Sequence, residues 1–181
     1  ALLASALAAP APARAGPGTT PLEFLSLDAG ARAAALGGAY PALASDADAL
    51  LYNPGGLAHV ARSEATFMHN QYFEGVTQEY AALSHRRGFG AMFNSLSFGD
   101  IPKTTISNRT GAGLGNFTVQ DMAFSGGYGR LVAPGLGGGV ALKYVRESIE
   151  DVSAEGLAFD AGALYAAPGL PGLRLSAVVR N

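Results

Sequence analysis

The sequence predicts an all-β fold: a transmembrane antiparallel β-barrel of the outer-membrane kind, entered through an amino-terminal helical segment. Three observations predict it. Beyond Glu64 the apolar residues recur at every second position, the period of a strand with two unlike faces. The opposite face is mostly Gly, Ala and Ser with isolated charges, unlike the charged outer face of a soluble β-sandwich, which also alternates. The connections alternate between short turns and longer polar loops, as they do in outer-membrane barrels.

Composition agrees. The 181 residues are 49% hydrophobic and only 14% charged, with a net charge of −2, and the mean hydropathy is +0.20. About a quarter of an ordinary soluble domain is charged. No basic patch exists to hold nucleic acid. The absence of cysteine removes disulfide frameworks and thiolate metal sites.

The first element, ALLASALAAPAPARA (1–15), is a short apolar run followed by Ala13-Arg14-Ala15. That is the end of a secretory signal, without its basic start. Pro10 and Pro12 cut the run well short of the roughly 20 residues a membrane helix needs.

The second element, Leu22–Leu51, does not share the strand period. Ala31, Ala33–Leu36 and Ala47–Leu51 favour helix, with Gly37-Gly38 between them. Asp46 and Asp48 are expected to cap the second helical turn rather than to bind a metal, since both would sit near its positive end. Asn53-Pro54-Gly55-Gly56 then breaks the chain: Pro54 fixes φ, biases Asn53 out of the helical region, and offers no N–H.

Seven strands follow. In Asp121–Leu131, Met122, Phe124 and Tyr128 oppose Ala123, Ser125, Gly127 and Gly129. In Gly138–Glu147, Val140, Leu142 and Tyr144 alternate with Gly139, Ala141 and Lys143. Leu157–Tyr165 and Gly172–Arg180 repeat the rule, while Ala65–Phe73, Thr77–His85 and Gly88–Phe98 have mixed faces. Lengths of about 10 residues suit tilted membrane-crossing strands. The short turns are read at 86–88, 132–137 and 166–172, and the long loops at 99–119 and 148–156.

The segment LSLDAGARAAALGGAYPALASDADALLYNPGGLA resembles the amino-terminal signature of the PorV/PorQ family, outer-membrane proteins related to the long-chain fatty-acid transporter FadL. The matching elements are Gly30-Ala31-Arg32, Gly37-Gly38-Ala39, Ala44-Ser45-Asp46-Ala47, and Asn53-Pro54 with Gly56-Leu57. The family usually carries Ala where this chain has Gly55, which suggests a looser turn here. The resemblance extends over about residues 20–181, including SFGDIPKT and ALKYVRESIEDVSAEG. It implies a FadL-like barrel, about half of it present in this chain, with an amino-terminal hatch inside. The expected division is a truncated signal at 1–15, a hatch at 16–58, and the first half of the barrel at 64–181, cut at its carboxyl end. Gly30, Arg32, Gly37, Gly38, Asp46, Asn53, Pro54 and Gly56 are the expected hatch and turn residues.

No catalytic constellation is found. GAGLG and GLGGG fail the dinucleotide spacing, and no nucleophile elbow exists. His59, His69 and His85 lack metal-ligand spacing and read as surface or interface residues. Lys143, Asp160 and Arg174 lie on the non-apolar face of three successive strands. Lys143 is expected nearly opposite Asp160, with Arg174 about one diagonal step away; the three either select an anionic substrate or tie the structure together. Arg32 is expected to reach Asp160 or Glu147. Leu142→Arg is expected to harm assembly far more than Ala141→Arg.

The expected function is non-enzymatic, without metal or cofactor. A barrel in the bacterial outer membrane, in contact with its lipid, passes a hydrophobic small molecule by movement of the hatch. The alternative is a component of a protein-secretion system, as PorV-like members are, with secretion-system proteins as partners. No nucleic-acid partner is expected.

Overall fold

The computed structural model describes residues 23–180; the signal expected at 1–15 lies outside the described residues. Seven strands form one antiparallel sheet in sequential order: β1 (Glu64–Gln71), β2 (Thr77–Ser84), β3 (Phe89–Pro102), β4 (Asn116–Ala133), β5 (Leu136–Ile149), β6 (Val152–Ala166) and β7 (Arg174–Val179). The sheet is a half-barrel, and residues 23–60 lie against its concave face.

The helical pieces in this lead-in are short: α1 (Ala31–Ala35), α2 (Ala49–Tyr52), and 3-10 turns at Glu23–Ser26 and Pro54–His59. Gly37 and Gly38, both at positive φ, stop α1, because only glycine enters that region without steric cost. None of these helices is long and apolar enough to cross a membrane.

The turns differ from the sequence expectation in one instructive way. Three short connections do lie at one end, at 85–88, 134–135 and 167–173, and the loop at 103–115 lies at the other. The stretch 148–156, however, is no loop. β5 runs to Ile149 and β6 starts at Val152, so Glu150 and Asp151 make a tight turn with Glu150 at φ 54. Polar residues there suggest a loop, yet they sit in a hairpin whose backbone hydrogen bonds continue in register from Leu136↔Tyr165 to Ile149↔Val152.

The register resolves the mixed faces of the early strands. Phe67, Ala81, Phe93, Phe124, Tyr144 and Leu157 face each other in turn across six strands on the convex side. Phe93 and Phe124 meet at 4.9 Å between ring centroids, as do Phe89 and Tyr128. Two residues further along each strand, the same face is polar on five of the six strands, at His69, Glu79, Ser95, Arg146 and Glu155, and stays apolar on β4 at Met122. His69 Nδ1 and Glu79 Oε1 lie 2.6 Å apart, and Arg146 pairs with Glu155 at 3.9 Å. Met92 and Leu96, the other apolar set of β3, are buried on the concave side. β3 thus reads as mixed because it is apolar toward both.

Candidate functional site

The site is the contact between the lead-in and the concave wall. It begins at Asn53, which is fully buried. Its Oδ1 accepts from the Gly55 N–H at 2.9 Å, capping the 3-10 turn that Pro54 opens. Its Nδ2 donates to the carbonyls of Pro41 and of Ala163 on β6, both at 3.1 Å. One side chain therefore closes its own turn and ties it to the wall. His59 adds a second tie, with Nε2 3.2 Å from the Leu164 carbonyl.

The wall is cut to receive this turn. A β-carbon on Gly139 would strike the Pro54 carbonyl, and one on Gly162 would strike Asn53 Oδ1. One on Gly129 would stand 2.7 Å from the Pro54 carbonyl oxygen, and one on Gly137 2.6 Å from that of Gly55. Gly127 and Gly90 leave room for Leu50 and Leu57 in the same way. Glycine inside a strand marks close approach of another backbone, and here that backbone is the 53–59 turn. The small inner face reads as the lining of a lumen in sequence; in this sector it is a seat. Gly55 belongs to the same fit. A β-carbon there would lie 2.8 Å from the Gly162 carbonyl oxygen and 2.9 Å from Ala163 Cα. Gly55 thus lets the turn lie directly on the wall.

Above the seat, Ala29, Ala33, Tyr40, Leu50, Leu51, Tyr52 and Leu57 pack with Tyr80, Ala82, Met92 and Ala141 of the wall. A smaller patch holds Phe24 against Leu96, Ala123 and Val145. The polar groups of the lead-in bind mostly to one another. Tyr52 OH donates to Asp28 Oδ1 at 3.1 Å and accepts from the Ala29 N–H at 3.2 Å. Tyr40 OH donates to Asp46 Oδ2; burial and that bond hold the phenol above its usual range, so it keeps its proton.

Several expected residues fall elsewhere. Arg32 reaches neither Asp160 nor Glu147. It lies over the Tyr40 ring, 5.5 Å from the centroid, and 3.8 Å from Asp46 Oδ2, because the turn at Gly37-Gly38 folds α1 back beside Asp46. Asp46 Oδ1 accepts from the Asp48 N–H at 3.1 Å, an Asx turn leading into α2. Asp48 itself, at the N-cap, makes no side-chain cap bond. Burial, and then the charge of Asp46, push its carboxyl up to about 6. Gly30 is small for its sake: a β-carbon there would lie 2.8 Å from Asp48 Oδ2. Gly56 fits against Ala44, whose carbonyl a β-carbon would strike.

Lys143 and Asp160 do meet. The register places Lys143 opposite Ala158 and Asp160 opposite Ala141, one diagonal step, and Nζ lies 2.5 Å from Oδ2 with side-chain exposures of 3% and 0%. Arg174 does not join them. It pairs with Ala166, six residues along β6 from Asp160, or roughly 20 Å of strand. Its guanidinium instead donates to Ser45 Oγ at 3.2 Å and to the Leu43 carbonyl at 3.5 Å. The β6–β7 turn is long enough to set this register, and face periodicity alone does not count its residues.

Residues 3–158 match the model of an uncharacterised protein family, UPF0164. The chain belongs to that family. No curated protein and no solved structure matches it. The UPF0164 match takes in the whole described lead-in, five complete strands and five of the six seat glycines; Gly162 and β7 lie beyond it. Sequence reading missed the seat as such, although glycines at alternate positions of β4 and β5 were its signal.

Proposed function

We propose that this chain forms an outer-membrane β-barrel with residues 23–60 as an internal hatch, and that it transports a hydrophobic small molecule. The convex face carries the reading. Phe67 is 83% exposed, and Leu83, Phe89, Phe124, Leu142, Leu157, Phe159 and Val179 are all exposed beside it. A soluble monomer rarely leaves so continuous an apolar surface in water. On β4 the apolar outer stretch is bounded by Gln120 and Arg130. Ten residues span roughly 34 Å of strand, or roughly 25 Å of height at the usual barrel tilt, the height of a membrane band. The resemblance to the PorV/PorQ signature points the same way.

Within the hatch, residues 53–59 are seated backbone to backbone on the wall, whereas 23–40 meet it through side chains alone, in two apolar patches, and otherwise bond within the hatch itself. Movement belongs to the second part. The chain has no cysteine, so a pair at Phe24 and Val145 can be bridged with a short bifunctional thiol reagent. Bridging should stop uptake of a hydrophobic probe into proteoliposomes, and reduction of a cleavable reagent should restore it. Uptake that continues through the bridged protein rejects a hatch-gated path.

One observation favours the secretion reading. The loop 103–115 is built around Asn108, whose backbone and side chain bond Thr105, Thr110, Gly111 and Ala112. That ordered loop presents Ile106 at 94% exposure, a preformed apolar contact for a protein partner. Ile106→Asp should abolish that function and leave probe uptake intact if secretion is the role.

A further inference from the structure

The convex face of β1 to β3 carries a slot. In one row Phe67, Ala81 and Phe93 stand side by side, and in the next row Ala65, Leu83 and Ala91 do. Ala81 thus floors a gap between two rings, and the two rows enclose an apolar depression of about 290 Å³. A second depression, of about 330 Å³, shares Phe67, Ala81 and Phe93 and continues to His69 and Glu79. From Leu83 to Glu79 the slot follows β2 for roughly 14 Å.

Its apolar part gives fit without choice. Lipid tails are as apolar as the slot, so a chain lying there gains packing and no hydrophobic free energy. Choice falls to the polar end. Among the described residues that line it, the charged ones are His69 and Glu79. The row beyond them, Gln71, Thr77, Ser97 and Gln120, is polar throughout, which puts the pair at the edge of the apolar band.

His69 Nδ1 lies 2.6 Å from Glu79 Oε1, and both side chains are more than half exposed. A carboxylate only accepts, so Nδ1 carries the proton of the neutral ring and Nε2 is an acceptor. Nε2 and Glu79 Oε2 therefore offer two acceptors and one negative charge. A primary ammonium, with three N–H donors and a positive charge, complements both. A quaternary ammonium has no N–H to give, and a purely anionic headgroup meets like charge. Arg146 and Glu155 form another exposed pair in the same row as His69 and Glu79, but beneath it Phe124, Tyr144 and Leu157 are all large. A headgroup there has no slot for its chain. Slot and pair coincide on β1 to β3.

We propose that this slot holds one membrane phospholipid with a primary-amine headgroup, its ammonium on His69 and Glu79 and one acyl chain between Phe67 and Phe93. The proposal rests on the reading of the convex face as lipid-facing and adds the class of lipid that face prefers.

The test uses the full-length protein in nanodiscs with equal amounts of dioleoyl phosphatidylethanolamine, phosphatidylcholine and phosphatidylglycerol. Native mass spectrometry then counts the lipid that stays with the released protein. Phosphatidylethanolamine should be retained about tenfold over phosphatidylcholine, the effect of one charge-assisted hydrogen bond. Glu79→Gln should remove most of that preference, and Glu155→Gln, at the other pair, should not. Ala81→Leu fills the slot, leaves both polar groups in place, and should lose the retained lipid. Equal retention of the three lipids, or an unchanged preference in Glu79→Gln, overturns the proposal and leaves the membrane barrel standing. A lipid-free dimer would put a second copy in the slot and overturn it as well. A protein that stays outside the nanodiscs overturns both readings.

Discussion

Asn53 and Ala163 are joined across 110 positions of sequence by a 3.1 Å hydrogen bond from the Asn53 amide to the Ala163 carbonyl. It fastens the lead-in to β6 at the point where the chain turns out toward its first strand. Around it, glycines on β4, β5 and β6 let the Pro54 and Gly55 backbone come within contact of the wall.

Filling the seat should dislodge the lead-in. Gly139→Ala and Gly162→Ala each place a methyl against backbone or Asn53, and overpacking of this kind costs about 1–3 kcal/mol. Limited proteolysis should cleave the 23–60 segment faster in both variants. Gly126→Ala, on the convex face with nothing near its added carbon, should behave as the parent.

The wall faces can be separated by arginine scanning. Leu142→Arg puts a charge on the apolar convex face, where the cost is about 2–4 kcal/mol at mid-membrane if that face meets lipid as proposed. The residue to compare is Ser176, which shares the concave face with Arg174 and is exposed. A heat-modifiability gel should show poor assembly for Leu142→Arg and normal assembly for Ser176→Arg. Ala141→Arg, which the sequence reading expects to be far less harmful than Leu142→Arg, should also fail, because Ala141 is buried against the lead-in.

The buried ion pair is sensitive to loss of one partner. Lys143→Met leaves the Asp160 carboxylate at 0% exposure without its ammonium, at a cost of about 3–5 kcal/mol. Adding Asp160→Leu should recover most of that loss in an unfolding titration. A double variant no more stable than the single one would show that Asp160 is held mainly by other groups.

Asp48 makes stability depend on pH. Its folded value of about 6 lies above the ordinary 3.8, so the folded protein holds the proton more tightly than the unfolded chain. The neutral form therefore stabilises the fold at low pH, and that contribution is lost as pH rises from 3.8 through about 6. Asp48→Asn should flatten the unfolding profile across this window and raise the melting temperature at pH 7. A parent profile that rises between pH 4 and 6, with no change in slope for Asp48→Asn, would reject the assignment.

The secondary-structure plan was legible because it depends on local rules. Alternation at Val140, Leu142 and Tyr144 assigns faces with no knowledge of neighbours, and Asn53-Pro54 ends a helix by steric necessity. The inner glycines were visible too, but what they faced was not. Which carbonyl lies above Gly139, or which acid Arg32 meets, depends on how the chain folds back at Gly37-Gly38 and on the pairing register.

By itself the sequence determined that the chain builds strands with one apolar and one small-residue face, preceded by a broken helical segment. Only the tertiary structure decided that the small face is a fitted seat, that Lys143 and Asp160 neutralise each other, and that Arg174 serves Ser45 and Leu43. Periodicity is a property of one strand, whereas fit and charge pairing are set by distances between residues far apart in the chain. Those distances come from turn lengths and register, which a hydrophobic pattern does not encode.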